Sequence, residues 1–224
     1  MPSASALPLQ QRAVAEIRED LIHGRFRPGE RLSEPELASR FQTSRSPVRE
    51  ALVQLEHEGF LERAKTGRVY VRPLELSEAE QLFVFRGHLE GLAARLAAEN
   101  MNLKDIQRLE ANLAAMETAA QRGDARVAME CGAEFHRTII DACGNRPLLE
   151  CLEGLRARVS RYRYILAAID EFSEQRVREH RSILSALAAR SPATAEQAMI
   201  NHVEVSSRET LHALKAFLSA PEKV

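Results

Sequence analysis

The 224-residue sequence has no tryptophan and is only 5% aromatic. Alanine and leucine dominate, with glutamate and arginine between them, a composition that favours a mainly helical protein. Only three cysteines are present, Cys131, Cys143 and Cys151, and none lies in a C-x-x-C pair. That excludes a disulfide scaffold and fits reduced thiols in a cytoplasmic protein. No apolar run approaches the roughly 20 residues of a membrane span. The start, "MPSASALPLQQ", lacks the apolar stretch of a signal peptide and reads as a short, loose arm. No membrane partner is expected. Neither sign of charge prevails: 31 Lys and Arg stand against 32 Asp and Glu.

The balance is nonetheless uneven. Residues 1–74 hold 12 basic and 10 acidic side chains, and residues 75–224 hold 19 and 22. Between 38 and 73 the count is 7 against 4. A nucleic-acid reader can be neutral in total when its contact face is basic.

The element order in this first part is specific. Val14, Ile17, Leu21 and Ile22 repeat at helical spacing, and Gly24 with Pro28-Gly29 ends that helix. Ser33 and Glu36 have capping-box spacing and open a short helix ending near Phe41. After "QTSR", Ser46 as N-cap and Pro47 at the first helical position predict a second short helix, running to about Glu58 and stopped by Gly59. Val69 and Val71 then alternate with Arg68, Tyr70 and Arg72, and Lys65-Thr66-Gly67 makes the turn of a small hairpin. Helix, tight turn, helix and hairpin describe a winged helix-turn-helix, whose second helix enters the DNA major groove by its N-terminal residues. There Ser44, Ser46 and the helix start suit phosphate, while Arg45 and Arg49, four apart, suit a guanine edge. Lys65, Thr66, Gly67 and Arg68 form the wing tip. Taken alone, the two arginines read better as solvated surface charge; the whole order of elements points to DNA.

The stretch "GERLSEPELASRFQTSRSPVREALVQLEHEGFLERAKTGRVYV" resembles the N-terminal domain of GntR-family transcriptional regulators. The resemblance implies double-stranded operator DNA as partner, with Arg45, Arg49 and the wing around Gly67 touching it. One departure is Gln42-Thr43, where many members have Gly-Val.

From Ser77 onward every segment reads as helix, near 77–99, 102–121, 124–143, 146–168, 172–190 and 193–218. The breaks fall at 100–102, Gly123-Asp124, Gly144-Asn145, Asp170 and Ser191-Pro192, and Ser77 with Glu80 repeats the capping-box spacing. Short links between long amphipathic helices predict an antiparallel bundle. The expected fold is therefore mainly α: a winged helix-turn-helix with a small β-hairpin at 1–73, and an all-α bundle at 74–224.

Three of the seven histidines sit inside apolar stripes on separate bundle helices. His136 lines up with Met129, Gly132, Ile140 and Cys143, His180 with Val177, Leu184 and Leu187, and His202 with Ala195 and Met199. Three converging imidazoles are a metal-ligand set; three separately hydrogen-bonded core histidines are the alternative. Arg86 lies on an inward face with Leu82, Leu89 and Ala93. Either an internal carboxylate such as Glu90 or an incoming acid is its partner. Asn145, after Gly144, reads first as a helix cap. The basic run "RARVSRYRY" at 156–164 reads as a solvated or interface face.

"LFVFRGHLEGLAARLAAE", "AEFHRTIIDACGNRPLLE", "VREHRSILSALAAR" and "AMINHVEV" resemble the effector domain of the FadR-type branch, called FCD. The resemblance implies a divalent metal (Zn, Ni or Mn) on His136, His180 and His202, and a small organic acid effector near Arg86, the histidines and Asn145. It also implies a homodimer on a pseudo-palindromic operator, with repression released by the acid. The family's fourth metal ligand, an Asp, is replaced by Gly132. Glu130 and Glu134 point from other faces, and Cys131 is adjacent but offset. The site then either keeps a metal on three histidines with open positions, or binds an anion directly. The sequence also leaves open a constitutive DNA binder with a purely structural bundle, and a three-histidine metallohydrolase, which lacks an evident general base.

Overall fold

The computed structural model describes residues 8–167 and 174–219; the side chains of 163–167 are not described. The expected loose arm lies largely outside these residues, as does the break at Asp170 and the edges of the two helices flanking it. The chain divides between Glu75 and Leu76 into two compact units.

In the first unit, α1 (Leu9–Ile22) packs on α3 (Arg45–His57), with α2 (Glu34–Arg40) between them in sequence. Ile17, Val48, Ala51, Leu52, Leu55 and Phe60 are fully enclosed in its core. Arg18 grips Glu58 at 2.7 and 3.0 Å, tying α1 to the end of α3. Asp20, 1% exposed, is held by Arg25 at 2.5 Å and Arg40 at 2.6 Å, which ties α1 to α2.

The expected hairpin is present as β2 (Leu61–Arg63) and β3 (Val69–Val71). A third strand, β1 (Arg31–Leu32), pairs antiparallel with β3, giving the order β1-β3-β2. Two residues are too few to carry an alternation, so the pattern did not show it.

Three expected caps differ. Ser33 is the N-cap of α2, but its side chain makes no capping bond; Pro35 removes one of the two N–H groups such an oxygen reaches. α3 begins two residues early, with Ser44 rather than Ser46 as N-cap, and Ser46 donates to Glu50 instead. Pro47 fits inside this first turn because those N–H groups have no intrahelical partner anyway. Ser77 lies within a helix that starts at Leu76, where Glu78 takes the Tyr162 hydroxyl at 2.7 Å and pairs with Arg158. The capping box that does form is Asn102 with Asp105.

Gln42 occupies the left-handed region at φ 50°. An L side chain pays roughly 1–2 kcal/mol there, so Gln42→Gly is expected to stabilise the full-length chain by about 0.5–1 kcal/mol after the entropy cost of glycine. A urea midpoint that fails to rise would mean that the Gln42 side chain makes offsetting contacts.

The second unit comprises α4 (Leu76–Asn100), α5 (Leu103–Gln121), α6 (Ala125–Ala142), α7 (Arg146–Ala167), α8 (Glu174–Ala188) and α9 (Pro192–Ser219). α4 and α9 form the most extensive contact, and α5 packs on α6 and α8. The α4–α9 approach depends on glycine: a Cβ on Gly91 would stand 2.7 Å from Ile200 Cγ1. Leu109, Met116, Phe135, Ile139, Ile183 and Met199 fill the common core. In the 156–164 run, Arg161 and Tyr162 are buried rather than solvated, and Arg163 and Tyr164 lie outside the described side chains. No described helix is long and apolar enough to cross a membrane.

Candidate DNA-contact surface and candidate metal centre

On the first unit, Arg45, Ser44, Ser46 and Arg49 are exposed around the start of α3, and Lys65, Thr66, Gly67 and Arg68 are exposed on the β2–β3 turn. Gly67 takes φ 79°, which turns the wing tip. Pro47 is half-buried beneath them. The N-terminus of α3 carries no side-chain cap, so its first N–H groups face outward as anion donors. Glu34 receives both Arg49 Nε and Nη2, the latter at 2.9 Å. The hydrogen bond from Arg49 holds the Glu34 carboxyl below its ordinary range despite partial burial. The fork is thereby held in one orientation.

In the bundle, His136 on α6, His180 on α8 and His202 on α9 are all buried, and one nitrogen from each falls within 4.8 Å of the others. Helical spacing explains this: each sits in an apolar stripe that faces the core. Their orientation comes from what holds Nδ1. His180 Nδ1 lies 2.7 Å from the Arg176 carbonyl oxygen. A carbonyl has no proton, so Nδ1 donates. His136 Nδ1 lies 2.6 Å from Glu90 Oε2. Burial alone would push the Glu90 carboxyl up; Arg86 and His136 outweigh it and hold the group well below its ordinary range. Glu90 is therefore ionised and can only accept. His202 Nδ1 meets Glu179 Oε2 at 2.9 Å, and burial pushes that carboxyl up.

With Nδ1 tied in this way, the Nε2 atoms turn inward. His136 Nε2 and His202 Nε2 approach to 3.1 Å. Two imidazole nitrogens at that distance share a proton or a cation, since two bare lone pairs repel. Carboxylate or carbonyl partners behind each ring are the supporting arrangement of metal-bound histidines. The three residues therefore fit a divalent ion.

Gly132 faces the same point: a Cβ there would lie 3.7 Å from His180 Nε2, in ordinary contact. Glu130 pairs with Arg126 and Glu134 with Arg108, both away from the cluster. Cys131 is half-buried and outside the cluster, and burial pushes its thiol up.

The cavity between the histidines measures about 10 Å³ and is lined by Met129, Gly132, Arg176 and Ser206 besides the three rings. It has room for one ion or one water. Arg86 is not on its wall. Arg86 Nε donates to Glu90 Oε1 at 2.6 Å, so Glu90 is its internal partner. Asn145 is a helix cap: its Oδ1 accepts from Leu148 N at 3.1 Å. The sequence reading overlooked Arg176, although it lies four residues before His180; its charge drew it to the polar side of the pattern. A larger groove of about 700 Å³ lies along Ser182, Ser185 and Thr194, open to solvent and away from the cluster.

Comparison with known proteins agrees with both units. Residues 9–71 match the family of bacterial regulatory proteins, gntR family, and residues 81–205 match the FCD domain. The HTH-type transcriptional repressor RspR of Escherichia coli (strain K12) is 30% identical over 199 residues, 88% of this chain and 86% of that protein. A probable D-xylose utilization operon transcriptional repressor of Paenarthrobacter nicotinovorans is 33% identical over 193 residues, covering 86% and 84%. Among solved structures, E. coli McbR/YncC superposes with a TM-score of 0.78 at 22% identity, over 94% of this chain and 99% of that one. A putative GntR regulator from Rhodococcus sp. RHA1 gives 0.72 at 22% identity, over 91% and 98%. The relatives are transcription regulators rather than enzymes, which sets aside the metallohydrolase alternative. The chain belongs to the GntR family of DNA-binding transcriptional regulators and carries a C-terminal FCD domain.

Proposed function

We propose that the chain is a cytoplasmic, homodimeric repressor that binds a pseudo-palindromic operator and is released by a small carboxylate. Residues 1–73 serve as the DNA-binding domain and 74–224 as the effector-binding and dimerisation domain. Arg45 and Arg49 read base edges. Ser44, Ser46 and Pro47 place the start of α3 against the backbone, and Lys65, Thr66, Gly67 and Arg68 extend the contact. His136, His180 and His202 hold a divalent metal such as Zn, Ni or Mn.

The observation that carries the sensor reading is the convergence of three inward Nε2 atoms, each ring fixed from behind at Nδ1. A bound divalent ion would supply a Lewis-acidic anchor with open positions for a carboxylate. The chain's own part is orientation: Glu90, Glu179 and the Arg176 carbonyl set the tautomers. Arg86 acts through Glu90, and Asn145 fixes the start of α7 beside α6. Ligand entry would alter the bundle and with it the spacing of the two winged helices, to which half-site recognition is sensitive.

The small cavity favours a second reading, in which the bundle only dimerises and DNA binding is constitutive. Operator selection from random duplexes with the full-length protein tests the DNA reading. Arg49→Ala should weaken binding to the selected site roughly 10- to 100-fold, the loss of one bidentate base contact, while non-specific binding changes little. Equal affinity of the variant for the selected site would count against the assignment. Stoichiometric metal that disappears in a His136/His180/His202 triple alanine variant supports the sensor; metal-free protein after incubation and dialysis favours the constitutive reading.

A further inference from the structure

We propose that Arg176, rather than Arg86, takes the carboxylate of the acid ligand, by exchanging Glu209 for it; this rests on the acid-responsive reading above. The two arginines are equally buried, 5% exposed for Arg86 and 6% for Arg176. Each already has a carboxylate partner. The difference lies in what happens to that partner when a ligand arrives.

Glu90 is 8% exposed at its side chain, shares α4 with Arg86 and also holds His136 Nδ1. A ligand displacing it would strand a carboxylate in the core and release a ring of the cluster. Both outcomes are costly. Glu209 is 37% exposed at its side chain and receives Arg176 Nε at 2.9 Å from the neighbouring helix. On displacement its half-exposed carboxylate can turn to water, and the ligand's carboxylate takes its place on Arg176.

Position agrees with this. Arg176 lines the cavity and Arg86 does not. Arg176 stands one turn from His180 on α8, and its own carbonyl fixes that ring. Ser206, 4% exposed and one turn from His202 on α9, offers a hydroxyl on the same wall. With Gly132 in place of an acid, the described residues lining the cavity include Arg176 and three imidazoles and no carboxylate. That wall suits an anion. The 10 Å³ space must widen to admit one, and the Arg176–Glu209 pair is a tie between the two helices that flank it. Exchange of Glu209 for the ligand therefore loosens the wall that has to move. Recognition and opening become one event.

Acetate is the probe, titrated into the full-length protein against chloride at constant ionic strength, with binding read by calorimetry and by the unfolding midpoint. Wild type is expected to bind acetate over chloride. R176Q should bind at least about tenfold more weakly, the loss of a charged hydrogen bond. E209Q, which removes the internal competitor, should bind several-fold more tightly. Acetate binding unchanged in R176Q overturns the Arg176 assignment and leaves the acid-responsive reading standing. Absence of acetate binding in both wild type and E209Q overturns both.

Discussion

Replacing Glu90 by Gln is expected to destabilise the bundle by about 3–5 kcal/mol, the cost of breaking a buried ion pair by removing one partner. The Arg86 and Glu90 side chains are 6% and 8% exposed, with Nε to Oε1 at 2.6 Å. Glutamine keeps the shape and removes the charge. The guanidinium is then left buried without compensation, and His136 loses an ionised acceptor for Nδ1. The double replacement Arg86→Met with Glu90→Leu should cost far less, because it removes both charges together. Urea unfolding of the three variants measures this. A single variant within 1 kcal/mol of wild type would show that the pair is not held as described.

The same pair sets a pH dependence. Burial raises the Glu90 carboxyl, but Arg86 and His136 prevail and its folded pKa lies below the ordinary value. Its contribution to stability is therefore fully present above the unfolded carboxylate pKa of about 4.3. It is lost as pH falls through the folded value. Wild type should lose stability below about pH 4.3 more steeply than Glu90→Gln, which lacks this group. Parallel curves for the two proteins would remove Glu90 as the cause.

Gly132→Asp is expected to raise metal affinity about 100-fold or more, a larger step than the changes of 10- to 100-fold produced by altering groups behind the ligands. The Cβ at this position would sit 3.7 Å from His180 Nε2 and 3.9 Å from Met116 Cε, so it fits without displacing anything. Its carboxylate would complete three histidines to a four-ligand set. The shift in unfolding midpoint between metal-free and zinc-loaded protein should therefore widen. Gly132→Ala separates the ligand from the backbone effect: it should stabilise the helix by roughly 0.5–1 kcal/mol without changing metal affinity. Equal zinc affinities for the aspartate and alanine variants would mean that position 132 does not face the metal.

Most of the fold was legible because its signals are local. Apolar periodicity fixed the helices, and glycines and prolines marked their ends. The three histidines could be picked out because each lies in a stripe whose inward face is unambiguous. What escaped depends on tertiary partners. β1 is two residues long and exists only because β3 offers an edge. Ser33 and Ser77 have capping-box spacing, yet neither forms the box: Pro35 removes a donor in one case, and the helix already begins at Leu76 in the other. Arg176 was passed over for Val177 because a charged residue reads as outward. Its burial becomes plain only with Glu209, 33 residues away, beside it. The reading of Arg86 left two partners open, and geometry chose Glu90.

The missing side chain at Gly91 has a mechanical consequence. A Cβ there would meet Ile200 at 2.7 Å and the Glu196 carbonyl oxygen at 3.3 Å, so α4 and α9 touch almost backbone to backbone. Helices packed this closely leave no room for a larger residue at 91 unless they move apart. Glu90 and His202 therefore stand on one closely packed pair of helices, while His136, Arg176 and His180 stand on α6 and α8. A larger residue at 91 is thus expected to move Glu90 relative to His202, and with it the His136 ring that Glu90 holds.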